Sequence, residues 1–217
     1  LDFLFLKTKT QLKKYLDNIM SANKLPTKYD DVIDIRIKKW IDIINPSFKK
    51  AGFTPNMITT LSFLLGLLCC YLYYIQYYAL SAVCYGISYF FDTMDGYFAR
   101  LYNMGSTFGS YYDSASDITV VAILIILLVT NLHISNIAKI SIFMLNTGMG
   151  IGMAYHMSCQ EKYVEFNNPS NKSKGLSFLD PIQCYEYDHM KYSKYFGSGP
   201  FCVIIMACIF IHSFIAK

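Results

Sequence analysis

Between Lys50 and Asp92 the chain carries no charged side chain, and no other feature constrains its fold as strongly. One helix needs about 20 apolar residues to cross a bilayer, so a run of this length holds two crossings joined by a tight turn. Further uncharged runs extend from Ile118 to Ala138, Ile140 to Gln160 and Tyr195 to Ala216. Five clear spans are therefore expected, at about 57–75, 78–101, 113–132, 139–159 and 198–216. Hydrophobic residues make up 54% of the 217 positions, which fits a membrane class better than a soluble domain. The expected fold is all-α, a polytopic integral membrane helix bundle.

Ahead of the first span, residues 1–30 are mixed and polar, and a short helix is expected around Lys13 and Lys14. The stretch "DVIDIRIKKWIDII" at 31–44 interleaves Val, Ile and Trp40 with Asp, Arg and Lys. That pattern predicts a juxtamembrane amphipathic helix lying in the interface, its basic side chains toward lipid phosphate. Asn45 and Pro46 should end it, and Gly52 and Pro55 punctuate the chain before the first span. Two regions follow from this: an N-terminal cytoplasmic and interfacial segment at 1–50, and a transmembrane domain at 51–217 with a polar loop at 160–197. That loop reads either as partly disordered or as the site of another short element.

Lysine and arginine placement sets the orientation. Arg36, Lys38, Lys39, Lys49 and Lys50 precede the first span, Arg100 follows the second, and Lys162, Lys172, Lys174, Lys191 and Lys194 follow the fourth. Alternate crossings put all of them on one side, which the positive-inside rule makes cytoplasmic. The net charge of +4 is mild and sits beside the spans, so membrane lipids rather than nucleic acid are the expected partner. Seven cysteines include no Cys-x-x-Cys pair and read as small core residues. The opening "LDFLFLKTK" is too short in its apolar part to read as a signal peptide.

Against this background, the segment "FFDTMDGYFARLYNMGSTFGSYYDSASD" at 90–117 stands out. Asp92, Asp95, Gly96 and Ala99 share one helical face, because their spacings are three, four and seven. Gly109, Asp113 and Asp117 share another, and a turn using Gly105 would set the two faces opposite each other. Carboxylates converging at the edge of hydrocarbon are unfavourable unless a cation lies between them. All-oxygen ligands without His or Cys select hard divalent ions. The interleaved small residues leave room for a phosphate-bearing ligand held by that metal.

The order Asp92-x2-Asp95-Gly96-x2-Ala99-Arg100-x8-Gly109-x3-Asp113-x3-Asp117 resembles the signature of the CDP-alcohol phosphotransferases. "TPNMIT" at 54–59 is similar to the Pro-Asn segment before that family's first span. The resemblance implies six crossings rather than five. It also implies transfer of a substituted phosphate group, such as phosphatidyl, from a CDP-linked lipid donor to an alcohol acceptor, with release of CMP. By position, Asp92, Asp95 and Asp113 resemble the main ligands of Mg2+ or Mn2+, as two ions. Asp117 resembles the catalytic base and a further ligand. Gly96 and Ala99 would admit the nucleotide, Gly109 would let it approach the helix, and Arg100 would lie near its cytidine or phosphate end. The family's members commonly form homodimers, in the endoplasmic reticulum or the bacterial plasma membrane. Tyr97 and Phe98 differ from the Lys-Gln of the choline and ethanolamine branches, and no motif selects among inositol, inositol phosphate, glycerol phosphate and serine. Two other readings are a divalent-cation transporter with a carboxylate-lined path and a catalytically inactive family member acting as a scaffold.

Overall fold

A computed structural model describes residues 22–131, 135–184 and 186–215; Lys13 and Lys14 lie outside them. The described chain is an all-α bundle. Its long helices are α1 (Asp34–Lys50), α2 (Pro55–Tyr74), α3 (Tyr78–Leu101), α4 (Thr107–Thr130), α5 (Asn136–Asn167) and α6 (Ser198–Ile215). The last five answer to the five expected spans. By length and apolarity alone, α2, α4, α5 and the stretch ending in α6 qualify as crossings. The fifth, α3, falls outside that group and carries Asp92, Asp95 and Arg100 in its C-terminal half.

The α2–α3 hairpin is closed by small polar residues. Ser62 Oγ donates to the Ser88 carbonyl at 2.8 Å and Ser88 Oγ returns a bond to the Ser62 carbonyl at 2.8 Å. Ser81 Oγ does the same for Cys69, at 2.9 Å. Small side chains let helix backbones approach closely where hydrocarbon gives no hydrophobic drive between helices. Gly66 admits α4 in the same way, since a Cβ there would lie 2.7 Å from Val120 Cγ2. The main core then joins Leu72 and Tyr85 to Leu124, Leu128, Ile205 and Ile209. α5 packs on α4 and α6 but keeps most of its apolar surface outward, as a lipid-facing helix does.

Three expectations are corrected. Pro46 does not end α1, which runs on to Lys50. Pro46 forgoes one backbone bond, yet Ile37, Ile41, Ile44 and Phe48 keep helical spacing across it and pack with Met94, Tyr97, Phe98 and Leu101. Trp40, Ile43, Lys39 and Lys50 stay exposed on the other side, as an interfacial helix requires. In the turn between α3 and α4, Asn103, not Gly105, takes the left-handed conformation, at φ 52°. Cys159 and Cys184 form a disulfide rather than serving as separate core residues. The other cysteines, Cys69, Cys70, Cys84, Cys202 and Cys208, are buried and free, as expected.

The 160–197 region is also more ordered than a loop. Its first eight residues continue α5 to Asn167, and short 3-10 turns cover Pro169–Asn171, Lys174–Leu179, Tyr187–His189 and Lys194–Phe196. Gly175 brings this segment onto α4, its N–H donating to Ser110 Oγ at 2.8 Å. A Cβ on Gly175 would lie 2.1 Å from the Ser110 carbonyl oxygen.

Candidate metal centre and its cavities

Two capped helices set the site. Thr54 caps α2 with its hydroxyl on the Met57 N–H, and Pro55 opens the first turn. Ser106 caps α4 by accepting from the Gly109 N–H at 2.9 Å. These caps fix the starts of the two helices that flank the acidic end of α3.

The two acidic faces do meet. One carboxylate oxygen from each of Asp92, Asp95 and Asp113 falls within 4.8 Å of the others. Asp117, a turn further along α4, brings its carboxyl within hydrogen-bonding reach of Asp92. Asp95 is 4% exposed, and its Oδ2 accepts from the Thr59 hydroxyl at 2.5 Å. The same hydroxyl oxygen lies 3.1 Å from the Pro55 carbonyl. Its single proton favours the charged and closer acceptor.

Two cavities, of about 500 and 530 Å³, meet at this cluster and share Lys24, Asp95, Gly96, Arg100 and Asp113. One has the more polar lining, with Asn56, Ser173 and Lys174 in its wall beside Ala99 and Gly109. The other reaches into the bundle between Phe63, Val121, Ile125 and Phe201 and also carries Asp92 and Asp117. All eight residues singled out in the sequence therefore line one cavity or both. Gly109 is held against Asn56, whose Oδ1 would lie 2.7 Å from an added Cβ. Gly96 leaves room for Arg100, with Nη1 at 3.4 Å from a Cβ built there. Arg100 Nε donates to the Ala22 carbonyl at 2.8 Å, so the guanidinium is anchored where the cavities join.

Sequence reasoning missed the residues that frame this set. Lys24 forms an ion pair with Glu161, which is 2% exposed. Glu161 also accepts from the Ser173 N–H at 2.8 Å. Burial lowers the Lys24 pKa, and the Glu161 carboxylate works in the opposite direction. Neither residue belongs to a local motif: they lie 137 positions apart in the chain. Thr59 was within reach, because "TPNMIT" had already been singled out, though not for a hydroxyl.

The donor set suits a hard divalent cation. All ligating atoms are carboxylate oxygens, and Asp113 Oδ1 is buried with no hydrogen-bond partner. A buried anionic oxygen left in that state is costly, and a cation among Asp92, Asp95 and Asp113 would satisfy it. Mg2+ and Mn2+ take such oxygen ligands.

A membrane helix bundle with this acidic crossing agrees with comparison against known proteins. A family model described as CDP-alcohol phosphatidyltransferase matches residues 53–176, and the chain belongs to that family. It is similar to the archaetidylinositol phosphate synthase of Pyrococcus horikoshii, 33% identical over 82 residues, which are 38% of this chain and 44% of the relative. The chain thus spans under half the length of that curated relative. No solved structure matches it.

Proposed function

We propose that the chain is a membrane transferase of phospholipid biosynthesis. It moves a substituted phosphate group from a CDP-alcohol donor, such as CDP-diacylglycerol, to an alcohol and releases CMP. The observation that carries this reading is the convergence of Asp92, Asp95 and Asp113 at the junction of a polar and a largely apolar cavity. The polar cavity has the size and lining for a nucleotide, with Gly96, Ala99 and Gly109 removing side chains from its wall. The second cavity suits the reacting end of a lipid donor and the acceptor.

Asp92, Asp95 and Asp113 would hold the divalent ions, two by family analogy, with Asp117 as a further ligand. Bound there, Mg2+ or Mn2+ would supply positive charge to offset that of the pyrophosphate and of the departing CMP. Asp117 accepts the proton from the acceptor hydroxyl. The acceptor oxygen bonds to the phosphorus bearing the donor's alcohol, the bond from that phosphorus to the bridging oxygen breaks, and its electron pair leaves with CMP. Arg100 and Lys24 steady the donor's phosphates, and most of the rate effect is positioning and electrostatics.

Basic residues beside the spans support a cytoplasmic location for the acidic end, and the membrane proposed by family analogy is the endoplasmic reticulum or a bacterial plasma membrane. A homodimer is proposed by family analogy. A cation-transport role is less economical, because a nucleotide-sized polar cavity adjoins the carboxylates. An inactive scaffold would have no reason to keep all four aspartates.

The test is CMP release from radiolabelled CDP-diacylglycerol in membranes, with Mn2+ or Mg2+ and a panel of alcohols. Release that depends on both metal and acceptor is expected. Release independent of the acceptor contradicts the transfer reaction.

A further inference from the structure

Glu161 follows directly on the uncharged run of α5, where a helix leaving the membrane would meet water, yet it is 2% exposed. Its two carboxylate oxygens serve two different stretches of chain. Oε1 is paired with Lys24, ahead of α1. Oε2 accepts from the Ser173 N–H at 2.8 Å, in the segment after α5.

Both stretches wall the more polar cavity. Lys24 lines it beside Arg100, and Ser173 lines it with Asn171 and Lys174. Glu161 itself is in the wall of neither cavity. Ser173 continues the chain of contacts to α4, with its Oγ 2.8 Å from Ser110 Oγ, which also accepts from the Gly175 N–H at 2.8 Å. The stretch that carries Lys24 reaches Arg100 too, since the Ala22 carbonyl accepts from Arg100 Nε at 2.8 Å. One buried carboxylate therefore joins the segment after α5 to the stretch that supplies one cation of the cavity and anchors the other.

Stability alone is a poor reason for such a pair. Taking two charges out of water can cost as much as their attraction returns, and packed apolar residues of similar volume often serve as well. What the pair provides is a fixed place for a cation. A lysine ammonium rides on a flexible four-carbon stem, and ordering such a side chain weakens binding if it happens only when the ligand arrives. Glu161 orders Lys24 beforehand. An ammonium has three N–H donors, so a bond to one carboxylate oxygen leaves others for phosphate oxygens.

We infer that Glu161 is a positioning residue for the donor, holding Lys24 where its ammonium meets the diphosphate of a CDP-linked lipid and pinning the Ser173 segment as the facing wall. The inference rests on the transferase reading and adds to it a residue from outside the acidic motif. Glu161 touches neither the donor nor the reacting atoms and acts through Lys24.

A double-mutant cycle on the full chain in membranes tests this. CMP release from CDP-diacylglycerol is measured with inositol, inositol phosphate, glycerol phosphate and serine, and the best acceptor is carried forward. Glu161→Gln keeps an oxygen for the Ser173 N–H and loses the charge that holds Lys24. It is expected to raise the KM for CDP-diacylglycerol about tenfold or more, as loss of one charge-assisted contact does, and to leave the acceptor KM unchanged. Lys24→Met is expected to raise the donor KM as much. The Lys24→Met/Glu161→Gln double variant is expected to raise it no further, because a residue acting through another has no effect once that other is gone. The double variant buries no charge at either position, so its donor KM decides the matter where a single change costs the fold. A donor KM at the wild-type value in folded Glu161→Gln or in the double variant overturns the inference and leaves the transferase reading standing. Donor and acceptor KM rising together, or additive effects in the double variant, overturn it in the same way. No acceptor-dependent release by the wild-type chain overturns both.

Discussion

Thr59 shows how much a single side chain outside the acidic motif contributes. Its hydroxyl fixes Asp95, a group buried beside other carboxylates. Hydrogen bonds to metal-ligating carboxylates orient them, and losing one typically costs about 10–100-fold in metal affinity or activity. Thr59→Val keeps the shape and removes the hydroxyl. Its CMP release, titrated with Mn2+, is expected to need about 10–100-fold more metal, with Thr59→Ser restoring the wild-type curve. Gly175 works through space: its missing side chain lets the post-α5 segment lie on the Ser110 backbone. Gly175→Ala is expected to destabilise the protein by about 1–3 kcal/mol, read as a lower thermal midpoint in detergent, because the clash is with main chain. The acidic residues themselves were legible in the sequence because helical spacing alone puts them on two faces. The Lys24–Glu161 pair was not, since nothing local joins position 24 to position 161.

At the scale of elements, apolar runs located the five long helices, but their ends depended on packing and capping. α4 begins at Thr107, six residues before the expected start, because Ser106 supplies a cap that hydropathy does not register. α1 continues through Pro46 because its apolar stripe is held by α3. α5 extends past its uncharged run because Glu161 finds Lys24 and the Ser173 N–H. At the junction of α1 with α6 the Asp31 carboxylate accepts from Ile33 and Asp34 at the start of α1 and from Gly199 of α6. Hydrogen bonds to a charged group contribute about 1.5–3 kcal/mol each. Asp31→Ala is therefore expected to destabilise the bundle by more than about 2 kcal/mol, read as an earlier loss of α-helical circular dichroism on heating. Unchanged melting would mean that the two helices are held by other contacts.

For the whole molecule, composition made the membrane class readable, while the division into two cavities was not. Cavities form where six helices and a folded-back segment meet, and no window of sequence contains that meeting. The disulfide was hidden for the same reason, as Cys184 returns to Cys159 only when the 168–184 segment folds under the bundle. Orientation is open to a direct check by introducing single cysteines at exposed positions of that segment, such as Ser177 and Lys174. In sealed vesicles both should react with a membrane-impermeant reagent applied from the cytoplasmic side. Reaction only from the opposite side would reverse the topology and put CMP on the wrong face of the membrane.

The central claim is that three converging carboxylates hold the metal through which this chain transfers a phosphate group. Asp113→Asn tests it most directly, because Asn keeps the size of the side chain and removes the charge from the oxygen left without a hydrogen-bond partner. Manganese binding to the purified protein, followed by electron paramagnetic resonance, should be measured beside CMP release from CDP-diacylglycerol with acceptor. The expected result is weakened binding together with a loss of turnover of at least a hundredfold, in a protein that melts near the wild-type temperature. Wild-type metal binding and turnover in that variant would contradict the claim.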